Sequence, residues 1–455
     1  MNSSLDIKKI CNKNKVKFII AMATPVIMEN ILQVLLGTTD TFFASRLNEN
    51  AIAGIGVTNL IMNIYIAFFT AIGVGTTAIV ARSIGQGDKE KAQDVVKQSI
   101  ILTVFISVII GIISFIFAEN ILLILGAEKE VLKYAYPYFL IVSVPCIFLC
   151  LMLTLSSALR GSGNTKIPMV ASVVANIINI VLNYVLMFGI FNFNGLGIVG
   201  AALATTIARI VGVSILLIAL CRGKSKIKLS LLEKWSINKP LLLAISKIGI
   251  PAGIEKLIMR LGQLLYGSMI ISLGTSSYIA HNIAGTIESY SYLPAMGFGV
   301  VAATMVGQSL GKGDPKEAKE YGILCDIIST VFMVCVGVIF FIFAPAFARI
   351  FTDDKGVQHL VVSVLRLISL FQPFLSITMV ISSALQGAGD TKFPMYSTLI
   401  GIWGVRVLIG YVLAVVFELG LVGVWMAYCL DVTLRGIILL IRFIRGKWSK
   451  IEINI

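Results

Sequence analysis

The sequence predicts an all-α membrane protein with twelve transmembrane helices arranged as two pseudo-symmetric six-helix bundles. Two observations support this fold class. First, 57% of the 455 residues are hydrophobic and 13% are charged, and the mean hydropathy of +0.94 is far above that of a soluble domain. Second, segments of the first half recur in the second half at a constant offset along the chain.

Three pairs of segments share this repeat offset, so its register holds without a net insertion. The pairs are Pro25–Glu29 with Pro251–Glu255, Gly85–Asp88 with Gly311–Asp314, and Ala158–Met169 with Ala384–Met395. Chance does not produce three matches in one register. The repeat therefore indicates two copies of one helical bundle.

Long apolar runs alternate with short polar breaks, and about 20 apolar residues suffice for a helix to cross a membrane. A transmembrane barrel would instead need alternating polarity in segments of about ten residues. The predicted spans are 17–44, 51–81, 93–118, 131–158, 168–191, 196–221, 243–272, 277–309, 320–348, 359–385, 394–417 and 419–443.

Lysine and arginine are concentrated at the termini and in alternate loops, which predicts a multi-pass protein of the cell membrane with both termini in the cytoplasm. The first span is too long for a signal peptide and no cleavage site follows it, so we expect it to be retained. Orientation in the lipid bilayer accounts for the net charge of +14. No nucleic-acid partner is needed, and we expect a monomer.

An even number of spans in each half gives the two copies the same orientation. The predicted domains are an N-lobe at 1–221 with helices 1–6, a basic cytoplasmic linker at 222–240, and a C-lobe at 241–455 with helices 7–12. Two like-oriented bundles that rock about a shared cavity are typical of transporters. The short repeated loops are interpreted as gating hinges or tight turns, because Gly311–Asp314 lacks the Ser or Thr that a phosphate-binding loop needs.

Acidic side chains inside a membrane span cost at least about 2.5 kcal/mol and usually mark an ion or substrate path. The acids selected on this ground are Glu29, Asp40, Glu255, Glu288 and Asp431. Glu29, Gln33 and Asp40 share one face of the first helix. A buried carboxylate there is suited to bind a proton or Na⁺, and the alternative is a carboxylate satisfied by hydrogen bonds within the bundle.

Glu255 occupies the repeat position of Glu29, where a carboxylate attracts cationic substrates or instead forms a structural ion pair. Glu288 and Tyr292 lie together in a segment whose aromatic rings suit stacking on a flat cation, with a structural role as the alternative. Asp431 and Arg435 are one turn apart and are interpreted as a structural salt bridge.

Three further arginines, Arg209, Arg366 and Arg406, have no partner that the local sequence identifies. The two histidines, His281 and His359, lie near no nucleophile or metal-ligand arrangement. The sequence therefore predicts that the protein is not an enzyme.

Taken together, four features resemble the multidrug and toxic compound extrusion (MATE) family. They are the two six-helix halves with Pro25 and Asp40 in the first helix, the motif at 158–168, the run Val306–Asp314, and Trp403 with Arg406. The resemblance implies two lobes around a central cavity and export of cationic or amphipathic small molecules in exchange for H⁺ or Na⁺. It implies no cofactor beyond that coupling ion.

The resemblance also implies residue roles. Asp40 matches the aspartate of the N-lobe cation site, with Na⁺ as the metal ion that this site would hold. Asn179 and Thr205 match two further members of that site, whereas Asn183 replaces an acid of the family pattern. These four residues form the predicted cation-coupling set.

For the C-lobe, Glu255 resembles a family glutamate that belongs to a second cation site. Its usual aspartate partner is missing, because the tenth span contains no acid. Glu255, Glu288, Tyr292 and Gln33 form the predicted substrate or C-lobe cation set, and Pro25 and Pro251 the predicted hinge or gating positions.

The alternative function is a lipid-linked saccharide flippase of related two-lobe architecture. Such a protein tends to line its cavity with Arg and Lys to hold a pyrophosphate. Because the candidate cavity charges here are largely acids, the sequence favours export of cationic compounds.

Overall fold

A computed structural model provides the fold of the chain. It describes residues 13–189, 194–223, 226–230, 233, 235–451 and 453, with the side chains at 36–41, 44 and 45 left out of the description. The described residues form helices joined by short turns and contain no β-strand. The all-α fold class is thereby confirmed.

Eight helices make up the first half of the described chain. They are α1 (Lys13–Ser45), α2 (Glu49–Gln86), α3 (Lys89–Ile116), α4 (Ala118–Ile124), α5 (Lys129–Ser143), α6 (Ile147–Gly161), α7 (Lys166–Phe188) and α8 (Ile198–Cys221).

The second half contains eight further helices. They are α9 (Lys239–Ser272), α10 (Thr275–Ser291), α11 (Leu293–Gly311), α12 (Pro315–Phe351), α13 (Lys355–Gly387), α14 (Lys392–Leu399), α15 (Leu408–Tyr411) and α16 (Gly420–Ile444). Wider π-helical turns at Ile400–Val407 and Val412–Val416 continue α14 and α15, and a 3₁₀ turn at Lys447–Lys450 follows α16.

Ten helical segments of the described chain are long and apolar enough to cross a membrane, and α5 with α6, bent by 46°, make an eleventh. The predicted seventh span corresponds to α9. This helix is long enough to cross a membrane, but it is not one of these segments because it carries too many charges. Its lysines, arginine and glutamate place at least three charged side chains in every 18-residue stretch. Charged side chains in a membrane helix need protein partners. Glu255 is one of these charged residues, so we expect it to have such partners.

The chain forms two compact units. One contains the described residues up to Ile27 and those from Ile250 onward, and the other runs from Met28 to Gly249. We call these unit 1 and unit 2. The chain thus passes between units within α1 and within α9, close to Pro25 and Pro251, both of which lie inside a helix. The hinge role of the two prolines and the predicted division at 222–240 stay predictions.

Each unit has its own apolar core. In unit 2, one core packs Ile55, Tyr138 and Met187 together, and α5 and α6 lie against α2. In unit 1, one core surrounds Phe443 and Trp448, whose rings stack with centroids 4.7 Å apart. A second core of unit 1 gathers α10, α12, α13 and α16.

The repeated loops are helix boundaries in both units. Gly87 and Gly313 adopt positive φ values of 80° and 77°, which favour glycine because it has no Cβ. Asp314 then begins α12 by accepting hydrogen bonds from Lys316 N at 3.0 Å and Glu317 N at 2.9 Å. Asp88 begins α3 in the same way through Lys91 N. These two loops are therefore tight turns, and a gating role stays a prediction.

Replacing Asp314 with Ala should lower the free energy of unfolding by about 1 kcal/mol, because two amide groups at the start of α12 lose their acceptor. The measurement is the thermal unfolding of the purified protein in detergent. Asp353→Ala is the matched control, since Asp353 is exposed and accepts no recorded capping bond. Equal stabilities of the two variants would contradict the capping role.

Candidate functional site

Glu255 lies in α9 of unit 1 and is 5% exposed. Its carboxylate accepts a hydrogen bond from Gln386 Nε2 at 2.9 Å and another from Thr398 Oγ1 at 3.2 Å. These donors come from α13 and α14. Both are neutral, and the ion pairs recorded among the described residues include none at Glu255. Among the residues that the structure describes, the carboxylate is therefore held by neutral dipoles, with no cation at ion-pair distance.

The repeat gives Glu255 an internal comparison in unit 2. Its counterpart Glu29 in α1 is 2% exposed and lies 3.7 Å from Arg160 Nη2. The repeat offset that relates Glu29 to Glu255 also relates Arg160 to Gln386, and Ser172 to Thr398. The two copies thus build the same carboxylate position, but only the copy in unit 2 supplies a guanidinium.

The predicted cation-coupling residues of α7 and α8 lie together in unit 2. Asn179 donates to Thr205 Oγ1 at 3.2 Å, and Asn183 donates to Asn179 Oδ1 at 2.9 Å. All three side chains are buried, so they form a compact group of amide and hydroxyl oxygens. Asp40 belongs to the helical part of α1, but its side chain lies outside the described residues.

Gln33 was predicted on the same face as Glu29, yet the two residues differ in environment. Glu29 is buried against Arg160, whereas Gln33 is exposed. Two residues on the same face of a helix can have different neighbours, because the burial of each depends on which helix packs against its turn.

Glu288 in α10 is 7% exposed and accepts a hydrogen bond of 2.5 Å from the Tyr428 hydroxyl of α16. Tyr292 stands at the break between α10 and α11, one turn beyond Glu288. Pro294 follows at the start of α11 and fixes that break. Glu255 and Glu288 share unit 1 but have separate partners.

Arg406 acquires a partner that the local sequence did not identify. Its Nη2 lies 2.6 Å from Asp431 Oδ2, while Arg435 Nε donates to Asp431 Oδ1 at 2.6 Å. The Arg406 guanidinium also lies over the Tyr428 ring, 4.2 Å from its centroid. The Asp431–Arg435 pair predicted from the sequence is present, and Arg406 extends it to a buried triad.

Gly401, in the same π-helical turn as Arg406, leaves room for this triad. A Cβ at Gly401 would overlap Asp431 Oδ1 and the side-chain carbons of Arg435. Only glycine therefore lets α16 approach so closely. Arg366, another arginine left open by the sequence, lies over the Phe341 ring at 5.6 Å.

Asp326 is a buried acid that was not selected from the sequence. It lies inside the predicted span 320–348, so it meets the criterion by which the other acids were selected. It lies in α12, is 7% exposed, and its Oδ1 has no hydrogen-bond partner among the described residues. Burying an unpaired carboxylate is costly, so such a residue usually marks a functional position.

Two repeated helical halves with buried carboxylates and arginines inside apolar helices are typical of a multi-pass membrane transporter. The chain belongs to the MatE family, whose model matches residues 25–185 and 251–412. The two matched segments begin at Pro25 and at its repeat counterpart Pro251, so each corresponds to one copy of the repeat. Members of this family are transporters and not enzymes, as the sequence predicted.

Relatives cover nearly the whole chain. A probable multidrug resistance protein NorM of Thermotoga maritima is 32% identical over 438 residues, which span 95% of this chain and 93% of that protein. An uncharacterized transporter, YisQ of Bacillus subtilis, is 28% identical over 428 residues, which span 94% of this chain and 94% of that protein.

Solved structures share the fold. A MOP superfamily transporter from Pyrococcus furiosus, described as having a binding pocket of reverse polarity, superposes with a TM-score of 0.89 at 22% identity. The match covers 99% of this chain and 100% of that one. A MATE structure in complex with MaL6 gives a TM-score of 0.88 at 23% identity, covering 95% and 97% of the two chains.

Proposed function

We propose that this transporter exports cationic or amphipathic small molecules in exchange for H⁺ or Na⁺. The observation that carries the proposal is the difference between the two repeat copies at one buried carboxylate. Glu29 faces Arg160, whereas Glu255 faces Gln386 and Thr398. A carboxylate held by neutral donors attracts a cation, while one beside a guanidinium has its charge balanced already.

The names of the relatives support the same direction. The T. maritima protein is called a probable multidrug resistance protein, and a YoeA protein of B. subtilis, 24% identical over 437 residues, carries the same description. In this proposal Glu255 accepts or couples the cationic substrate. Asp40, with Asn179, Asn183 and Thr205 as neighbours on the family pattern, exchanges the coupling ion.

The test is transport of a cationic dye by the purified protein in lipid vesicles. H⁺ and Na⁺ gradients are imposed separately, so the gradient that drives dye movement identifies the coupling ion. Dye movement under neither gradient would overturn the proposal. Export of a labelled lipid-linked saccharide by the same vesicles would instead support the flippase alternative.

Asp40→Asn should abolish ion-driven dye transport while leaving the protein inserted in the membrane, because the amide keeps the size of the side chain but cannot exchange a proton or balance Na⁺. Rates in vesicles are compared at equal amounts of inserted protein. Asp353→Asn serves as the control at an exposed acid. Unchanged transport by Asp40→Asn would exclude Asp40 from the coupling step.

The cytoplasmic location of both termini and the monomeric state are further parts of this proposal. The first rests on the distribution of lysine and arginine between alternate loops. Protease access to terminal tags in oriented membranes tests the location of the termini, and light scattering of the detergent-solubilised protein tests the monomeric state.

A further inference from the structure

Unit 1 contains a line of buried polar side chains between two acids, Glu288 and Asp326. Its intermediate members are Ser291 of α10, Gln372 and Ser376 of α13, and Ser329 of α12. Ser329, Gln372 and Ser376 are 0% exposed and Ser291 is 2% exposed. We call these six residues the polar file. None of its members belongs to the Glu255 position or to the Arg406 triad.

Two side-chain hydrogen bonds join members of the polar file on different helices, and helical spacing relates the other members. At the Glu288 end, Ser291 lies three residues beyond Glu288 on α10 and donates to its backbone carbonyl at 2.7 Å. Gln372 Nε2 donates to Ser291 Oγ at 3.4 Å, and Ser376 Oγ donates to Ser329 Oγ at 2.7 Å. Gln372 and Ser376 are one turn apart on α13, and Ser329 is three residues beyond Asp326 on α12. The file thus crosses from α10 through α13 to α12.

The file retains hydrogen-bonding capacity that the described protein atoms do not use. Asp326 Oδ1, Gln372 Oε1 and Thr330 Oγ1, one turn beyond Asp326, are buried without a recorded partner. A buried polar atom left unpaired costs about 1–3 kcal/mol. Unpaired atoms along one buried line therefore need a reason beyond packing.

Packing alone does not require the two acids, because the first copy of the bundle is built without them. At the repeat offset, Glu288 corresponds to Met62 and Asp326 to Ile100. Gln372 and Ser376 correspond to Cys146 and Cys150. The described residues of unit 2 place a hydroxyl pair in this region, between Thr103 and Thr154 at 2.8 Å. Both acids are thus specific to the second copy.

Among the described residues, no recorded ion pair or cation–ring contact involves Asp326, and several cations of the surrounding helices have other partners. The recorded ion pairs join Lys15 to Glu320, Arg435 to Asp431, and Arg442 to Asp390. Arg366 lies over Phe341, and α11 carries no charged residue. Cys325 is the adjacent titratable group on α12, and Glu288 stands at the other end of the file.

We propose that Asp326 is a proton-binding site of unit 1 and that the polar file connects it to Glu288. Uptake forms one O–H bond on the carboxylate with a proton from water, and release reverses it. A proton fits better than Na⁺, because a metal ion needs several ligands around one point, and the described residues contain no group of three or more His, Cys, Asp or Glu side chains that could hold one. A part in coupling rests on the proposed function; proton binding does not.

Infrared difference spectroscopy of the protein between high and low pH tests proton binding directly. Asp326→Asn should lose one band in the carbonyl-stretch region of protonated carboxylic acids, and the control Asp353→Asn should lose no band from that buried-acid region. An Asp326→Asn spectrum identical to that of the wild type would overturn the proposal. No substrate or gradient is used, so failure of dye transport leaves this result unaffected.

A second measurement needs no variant. Dicyclohexylcarbodiimide reacts with protonated carboxyl groups in apolar surroundings, and mass spectrometry of the wild-type peptides locates the adduct. We expect labelling at Asp326 that falls as the pH rises. Absence of an adduct at Asp326 over the whole pH range would overturn the site even if Asp326→Asn does not fold.

The connection to Glu288 has its own test. Ser376→Ala removes one hydroxyl of the file and leaves both acids in place. After a rapid pH change, followed with a pH-indicator dye, we expect slower proton uptake with an unchanged total. Uptake at the wild-type rate would show that the file does not carry the connection.

Discussion

Gln386→Arg should strongly reduce cation-coupled transport while leaving the protein folded. The substitution installs, at the repeat position of Arg160, the guanidinium that the second copy lacks. Arg160 already balances Glu29 at 3.7 Å in unit 2, so the geometry of such a pair exists within this fold. Gln386 is only partly buried, which gives the longer side chain room to reach Glu255.

The expected loss of dye transport is at least about tenfold, equivalent to about 1.4 kcal/mol. It should match the loss caused by Glu255→Gln, since each change cancels the same negative charge. Gln386→Met is the matched control, because it removes the hydrogen bond to Glu255 without adding a cation. Its transport should fall less than that of Gln386→Arg.

Thermal unfolding separates loss of function from loss of structure in these variants. An ion pair between the introduced guanidinium and Glu255 should leave the melting temperature unchanged or raise it. Full transport by Gln386→Arg, at normal expression and stability, would show that Glu255 does not need its unbalanced charge. The Glu255 part of the proposed function would then be wrong.

The fold was predictable because a membrane leaves few choices for the backbone. Apolar runs long enough to span must become helices whose amide groups bond internally, and the repeat doubles the signal. α9 shows where the pattern becomes less clear, since its charges interrupt the apolar run around Glu255. Partners on α13 and α14 satisfy that carboxylate within the fold.

Glu255 and Glu288 could be selected from the sequence, whereas Asp326 was missed, and the partners of the selected acids were not predictable. Glu255 and Gln386 are 131 residues apart in the chain, and Glu288 and Tyr428 are 140 apart. The packing of helices determines such pairs, and the spacing of residues along one helix does not predict them. The exchange of Arg160 for Gln386 is visible in the repeated motif, yet it gains meaning only once Arg160 is seen beside Glu29.

The partner of Arg406, a cation, was likewise not predictable from local spacing. Its sequence neighbourhood offers no acid, and Asp431 already had an apparent partner one turn away in Arg435. A single carboxylate with two oxygens can serve both guanidinium groups, so pairing by nearest spacing underestimates the cluster. Such a shared acceptor has a predictable consequence for stability.

Asp431→Asn should destabilise the protein by about 3–5 kcal/mol, because removing one member of a buried ion pair leaves uncompensated charge. Asp431 is 0% exposed, and both Arg406 and Arg435 depend on it. Asn keeps the shape and one acceptor oxygen, so the loss measures charge more than packing. Chemical unfolding in detergent provides the measurement.

Asp390→Asn provides the matched control, with the same chemical change at another acid of unit 1. Asp390 pairs with Arg442 at 2.9 Å, but the Arg442 side chain is 23% exposed and can be solvated when the pair is broken. The expected loss is therefore about 1 kcal/mol or less. An equal loss of stability in both variants would contradict this expectation. It would mean that Arg406 and Arg435 find other partners once Asp431 is neutral. The triad would then not be a major source of the stability of unit 1.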